Sequence, residues 1–421
     1  MRTGRLLTVF VAVMMATMTA QVAEAGGSPA MAEDEAVDYH QWASAQEFAT
    51  GTAAGTAADG SGLRIDKPIG VIERKEPKLG TTRSYEYAQW TSPGYRHGFG
   101  ATELIASWNA NTPERTWLQV EAKGATTSGE QTAWYVLGQW AHGDTDILRT
   151  SVPGQSDQHA EVSVDTLATK ASVTLDSYQL RVSLYREAGS GATPVLGSVG
   201  AMASQVPDRF EVATSKPGKA SGVELPVPRH AQNLHKGQFP EYGGGGENWC
   251  SPTSTAMVAE YWGKGPSQAD MSWIPAGYVD PSVAYAARYT FDYDYDGTGN
   301  WPFNTAYTAR YGLHGHITRL HSLTELEDYV ARGIPVITSQ SFLASELDGA
   351  GYGTAGHIMV VVGFTAEGDV IANDPAANSN DRVRNVYQRD QFETIWQRTK
   401  RYTADGKVAS GPGGIAYIIT P

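Results

Sequence analysis

Cysteine is almost missing from this sequence: Cys250 is the single one in 421 residues. An intramolecular disulfide is therefore excluded, and a lone thiol with no Cys or His partner at zinc spacing cannot build a structural zinc site. Positive charge is in short supply too. Lys and Arg number 32 against 45 Asp and Glu, a net charge of −13. With no basic patch to neutralise phosphates, a nucleic-acid partner is not expected. Long apolar runs are also missing, since no stretch beyond the N-terminus approaches the roughly 18 residues of a membrane span. No internal repeat is evident. What is abundant is glycine and aromatic residues (11 Trp, 21 Tyr, 10 Phe), which suit strands and turns better than long helices.

Residues 1–25 read as a secretory signal peptide. Arg2 and Arg5 form a basic start, Leu6 to Ala20 is mostly apolar, and Ala23-Glu24-Ala25 is a small-residue cleavage site. The mature protein is expected to begin at Gly26, to be secreted and soluble, and to have no membrane contact after cleavage. About 395 mature residues allow two or three domains, each with a core of ordinary size.

Residues 26–78, rich in Ala, Gly, Thr and Asp, read as a spacer or poorly ordered arm. From 79 to 212 the pattern becomes short alternating runs separated by turn residues. Examples are Leu104 to Trp108, Thr116 to Val120, Thr132 to Leu137 and Tyr178 to Tyr185. That patterning predicts an all-β sandwich of jelly-roll type. Trp108, Trp117, Trp134 and Trp140 are expected to fill its core more than to meet a sugar. Residues 213–228 read as a polar, Gly/Pro-punctuated linker with few contacts across it. From 229 to 421 a helix comes first and strands follow, an α+β order.

Cys250 lies where that second domain begins. Four glycines, Gly243 to Gly246, precede it, and Met257, Val258, Tyr261 and Trp262 recur after it at helical spacing, with Gly263 as the stop. Ser251 is the expected N-cap and Pro252 the first helical residue. A thiol at a helix N-terminus sits where unpaired N–H groups favour the thiolate, so Cys250 reads as a nucleophile.

A thiol nucleophile needs a base, and the base an orienting acceptor. Among ten histidines, His357 stands out because it opens the strand Ile358 to Gly363. Asn373-Asp374-Pro375 closes the next strand. A tight turn centred between Ala366 and Glu367 would make Asp374 a diagonal neighbour of His357 on the same face.

With Cys250, His357 and Asp374 in this order, residues 229–421 resemble the papain-like cysteine peptidases typified by the double-glycine leader peptidases of bacteriocin exporters, in the secreted actinobacterial form. The family's C-G-P-[TA]-[SA] motif stands here as Cys250-Ser251-Pro252-Thr253-Ser254, its G-H-x-x-V-V-x-G block as Gly356 to Gly363, and its N-D-P block as Asn373 to Pro375. The resemblance implies an α+β papain-like cysteine peptidase domain behind the sandwich, cleaving peptide amides through a thioester. It also implies an upstream glutamine in the oxyanion site. Gly244 stands at the family's usual position, six residues before Cys250, so Gln232 is the first choice and Gln238 the second. Trp249 and Gly356, beside nucleophile and base, are the expected substrate contacts.

Asp292 to Gly297 copies the first half of a calcium loop, but Phe303 stands where the bidentate glutamate is required. Neither a metal nor another cofactor is expected. The expected partner is a peptide or protein substrate, with a cell-wall polymer on the sandwich as a second candidate. Two rival functions stand beside the peptidase: a cell-wall peptide amidase or transpeptidase, and a polymer-binding module with a vestigial thiol domain.

Overall fold

The computed structural model describes residues 35–421; the expected signal peptide and the start of the expected spacer lie outside the described residues. Residues 35–421 belong to one compact unit.

The N-terminal half is built from two seven-stranded sheets in which every named strand pairs antiparallel. One is centred on Glu103–Asn111 and Val195–Gln205. The other is centred on Thr116–Thr126, Leu175–Glu187 and Thr81–Thr91. Side chains alternate between faces along a strand. Leu180, Val182 and Leu184 of one sheet thus join Leu104, Ala106 and Trp108 of the other in a shared core. Trp108, Trp117 and Trp140 are buried, whereas Trp134 is half-exposed beneath Arg181 and Lys123.

Residues 36–76 correct the reading of a spacer. They form five strands (Ala36–Trp42, Thr52–Ala54, Thr56–Asp59, Gly62–Ile65, Gly70–Glu76) and a one-turn helix, Ala45–Phe48, closed by a Ser44–Glu47 capping box. The strand Ala36–Trp42 pairs along its whole length with Val199–Gln205. Few apolar residues are needed there, because Trp42, Phe48, Leu63 and Ile65 suffice to reach the core.

The C-terminal half holds a six-stranded antiparallel sheet in the spatial order His314–Arg319, Ile415–Thr420, Val336–Phe342, Thr354–Phe364, Val370–Asn373, Arg384–Tyr387. The helix Cys250–Tyr261 lies on one face. Its Met257 and Val258 pack with Ile358, Val360 and Val362, each apolar side chain contributing about 1.5–3 kcal/mol by burial. Helices Leu323–Val330 and Arg389–Gln397 cover the other face through Leu326, Val330, Phe392 and Trp396.

Residues 213–228 contain no helix or named strand, yet they are not a free linker. Glu327 accepts from the Gly218 and Ala220 backbones (2.8 and 3.0 Å), and Glu224 bridges Gly363. The expectation of few contacts across this stretch also fails. Phe303 packs against Trp108 and Trp140, with ring centroids 6.0 and 5.3 Å apart. Asn109 exchanges two hydrogen bonds with Gly315, and Arg288 forms a bidentate pair with Asp144 (2.7 and 2.8 Å). The halves share a core and cannot be parted without exposing it.

Candidate active site

Cys250 is the first residue of its helix and is half-buried. The N-cap position falls to Trp249, without a side-chain cap, which moves the expected start back by two residues. Ser251, expected as the cap, instead meets the Tyr417 hydroxyl at 3.0 Å inside the core. The glycine run explains how the chain reaches this point. Gly245 has φ 120°, and a Cβ on Gly246 would collide with the Gln232 carbonyl and lie 2.5 Å from His235. Backbones approach there in a way only glycine allows.

His357 lies on the strand Thr354–Phe364 and is only 5% exposed. Its Nε2 is 2.8 Å from Asp374 Oδ1, which leaves Nδ1 for the contact with Cys250. Asp374, 3% exposed, is saturated with donors. Oδ1 also accepts from Ala376 N (2.9 Å), and Oδ2 from the Tyr352 and Tyr387 hydroxyls (2.9 and 2.8 Å). Tyr352 also meets the His357 ring edge-on, centroids 5.6 Å apart.

The electrostatics follow from these contacts. Burial disfavours the charged imidazole. The Asp374 charge, its hydrogen bond and the contact with Cys250 outweigh that, pushing His357 up to about 10. Burial likewise opposes the Asp374 charge, but His357, Ala376 N–H and Tyr387 hold the carboxyl below its usual range. A buried carboxylate with four donors is a fixed anchor, and the imidazole cannot turn away from it.

The hairpin brings His357 and Asp374 together by an unexpected route. Phe364 pairs with Val370, so the loop between them is five residues and odd. A bulge between Val361 and Gly363 adds one more residue, and beyond it Val360 pairs with Asn373 in the register expected for a tight even turn. Asn373 also ties the hairpin to the lead-in segment, donating to Pro228 O at 3.1 Å.

Gln232 is buried beside this site. Its Nε2 donates to Glu247 O (2.8 Å), three residues before Cys250, leaving one amide N–H over, and its backbone N–H donates to Pro375 O (2.8 Å). Gln238 is exposed. Trp249 is a correction: it is fully buried, with Nε1 donating to Tyr242 O at 2.6 Å. Its ring anchors the glycine loop and offers no face to a substrate. Gly356 is exposed, with open space where a side chain would stand.

Asp292 holds its own loop together. It accepts from Ser151 N (3.0 Å), Asp294 N (3.1 Å) and Asn300 Nδ2 (2.9 Å), so its carboxylate is spent on N–H donors. No group of three or more Asp, Glu, His or Cys side chains able to hold a metal occurs among the described residues. Tyr352 and Tyr387 escape a sequence reading, because they converge on Asp374 from different elements with no motif spacing.

Residues 38–204 match the family model described as the Peptidase C39 N-terminal domain, and residues 224–404 that of the Peptidase_C39 like family. Among solved structures, a C39-like peptidase from Bacillus anthracis is 16% identical, with 47% of this chain and 97% of that chain covered and a TM-score of 0.28. No curated protein matches this chain.

Proposed function

Both halves of the chain carry C39 peptidase-family domains, and on that premise we propose a secreted cysteine peptidase in which a β-sandwich precedes a papain-like catalytic domain. Its substrate is a peptide or protein. The Cys250 sulfur adds to the scissile carbonyl carbon. The Cys250 N–H and the remaining amide N–H of Gln232 receive the oxyanion. His357, charged against Asp374, passes its proton to the leaving amine, and the C–N bond breaks to leave a thioester on Cys250. Water then attacks the thioester while His357 takes its proton, the C–S bond breaks, and the acid product leaves with the sulfur and the charged imidazole as they began. Asp374 holds the imidazole with Nδ1 toward sulfur throughout, and the Gly356 backbone borders the substrate on the side of the base.

The observation that carries this reading is the buried His357–Asp374 pair at 2.8 Å, in contact with a thiol that opens a helix. The test is cleavage of a peptide library and of purified peptidoglycan by wild type and Cys250→Ala. The peptide library is expected to be cut, with loss of about 10³-fold or more in Cys250→Ala. Activity confined to peptidoglycan would favour the cell-wall amidase instead.

A further inference from the structure

The segment between the helices Pro281–Thr290 and Trp301–Thr308 runs alongside the thiol. Thr298 Oγ1 donates to Asn248 O (3.2 Å), two residues before Cys250. A Cβ on Gly243 would lie 3.5 Å from Gly297 Cα, so this loop and the glycine loop touch. Tyr295 stands on its outer bend, 43% exposed, with the ring laid over Gly297, where a Cβ would lie 2.8 Å from it. Burial pushes the Tyr295 phenol up, with smaller contributions from Asp165 and Cys250.

The supports of this loop come from the other half of the chain. The buried Arg149 guanidinium donates to Arg288 O (2.8 Å), and Arg149 O accepts from Tyr293 N (3.2 Å). Ser151 N donates to Asp292 Oδ1, and Lys78 Nζ to Tyr293 O (2.8 Å). Asp165, from the turn between strands Ala160–Ser163 and Thr166–Thr169, accepts from Trp301 N (2.8 Å) where the loop ends. Residues at both ends of the loop and along its first turn are thus gripped by the N-terminal half.

We propose that the N-terminal half is the fixed support of a substrate wall, that Tyr295 is the wall's contact with a side chain of the peptide beside the scissile bond, and that Asp165 and Lys78 are positioning residues for it. This rests on Cys250 being the nucleophile. An exposed ring fixed against glycine backbone loses little entropy when a peptide side chain packs on it, so the wall acts on binding. Anchoring from a second domain keeps it in place between turnovers.

The test is steady-state kinetics on the best library peptide for Tyr295→Ala, Tyr295→Phe, Asp165→Ala, Lys78→Met and the Tyr295→Ala/Asp165→Ala pair, with Cys250→Ala as control. Tyr295→Ala is expected to raise KM about tenfold while kcat falls less, and Tyr295→Phe to restore KM to within about twofold. Asp165→Ala should raise KM in the same sense, and the double variant should be no worse than the poorer single, because both remove one wall. Lys78 is exposed, so Lys78→Met tests the support even where Asp165→Ala fails to fold; a KM rise of about threefold is expected. Unchanged KM in both Tyr295→Ala and Lys78→Met, with Cys250→Ala inert, would overturn the wall and leave the nucleophile standing. Cleavage by Cys250→Ala would overturn the underlying reading instead.

Discussion

At the scale of single residues the chemistry depends on how firmly one imidazole is held. Asp374 is fixed by four donors, two of them phenols, so it can neither rotate nor take up a proton easily. Asp374→Asn should cut kcat by about ten- to a hundredfold, less than loss of the nucleophile. Against the effect of burial, Asp374 and, to a lesser degree, Cys250 raise the folded-state pKa of His357 to about 10, so the imidazolium that protonates the leaving amine persists to alkaline pH and is lost as pH rises through that value. In Asp374→Asn the alkaline limb of the kcat/KM profile should move down, read from rates between pH 5 and 11. A limb that stays put would show that the pair does not set the protonation of the base. The meeting of Cys250, His357 and Asp374 in space was legible because short motifs carry them in fixed order. Tyr352 and Tyr387 were not, since a phenol that serves a carboxylate looks in sequence like any strand tyrosine. Trp249 misled for the opposite reason: it neighbours the thiol in sequence, yet its ring turns into the core.

Among elements, the hairpin gave the expected diagonal pairing although neither the loop nor the ladder is regular. An odd loop and a one-residue bulge cancel, and parity at the far end depends only on their sum. The lead-in segment is fixed by a device the sequence hid. His230 lies between Glu260 (Nε2 to Oε2, 2.7 Å) on the thiol helix and Asp280 (Nδ1 to Oδ1, 3.2 Å) at the start of the next helix. Asn380, just beyond the Asp374 loop, donates to Asp280 (2.7 Å) and accepts from Ala231 N (2.8 Å). Only an imidazolium is attracted by both carboxylates. Burial opposes the charge, but the two acids outweigh it and raise His230 to about 9. The stabilisation is therefore complete below the unfolded value near 6.5 and is lost as pH rises through about 9. It is worth on the order of 3 kcal/mol before allowance for coupling among the three groups. Thermal midpoints of wild type and His230→Gln should differ by several degrees at pH 6 and converge by pH 10. A constant gap across that range would mean that packing, not charge, is what the variant removes.

For the whole molecule the consequence is that the C-terminal half is not expected to fold by itself. Phe303 fills a space between Trp108 and Trp140, and Asn109, Ser107 and Glu103 bond to the strand His314–Arg319. A fragment of residues 229–421 would expose that surface, so it is expected to be insoluble or to lack a cooperative unfolding transition while residues 35–421 show one. A folded, active fragment would refute the shared core. None of this was legible from the 213–228 segment, whose Gly/Pro punctuation reads as a loose linker although Glu327 and Arg389 pin it. An apolar residue in a domain interface has the same pattern as one in its own core, so Phe303 gave no sign of its partner. Within 36–76 the strands Thr52–Ala54 and Thr56–Asp59 were missed for a related reason, because such short runs of Ala and Thr carry little periodicity of their own. The proposed chemistry requires a covalent intermediate at one sulfur. The most direct measurement is acid-quench mass spectrometry of the enzyme mixed with an activated peptide ester. The expected result is a mass gain of one acyl group mapped to Cys250, slower to form in His357→Ala and absent in Cys250→Ala. Product release with no adduct at Cys250, or an adduct elsewhere, would contradict it.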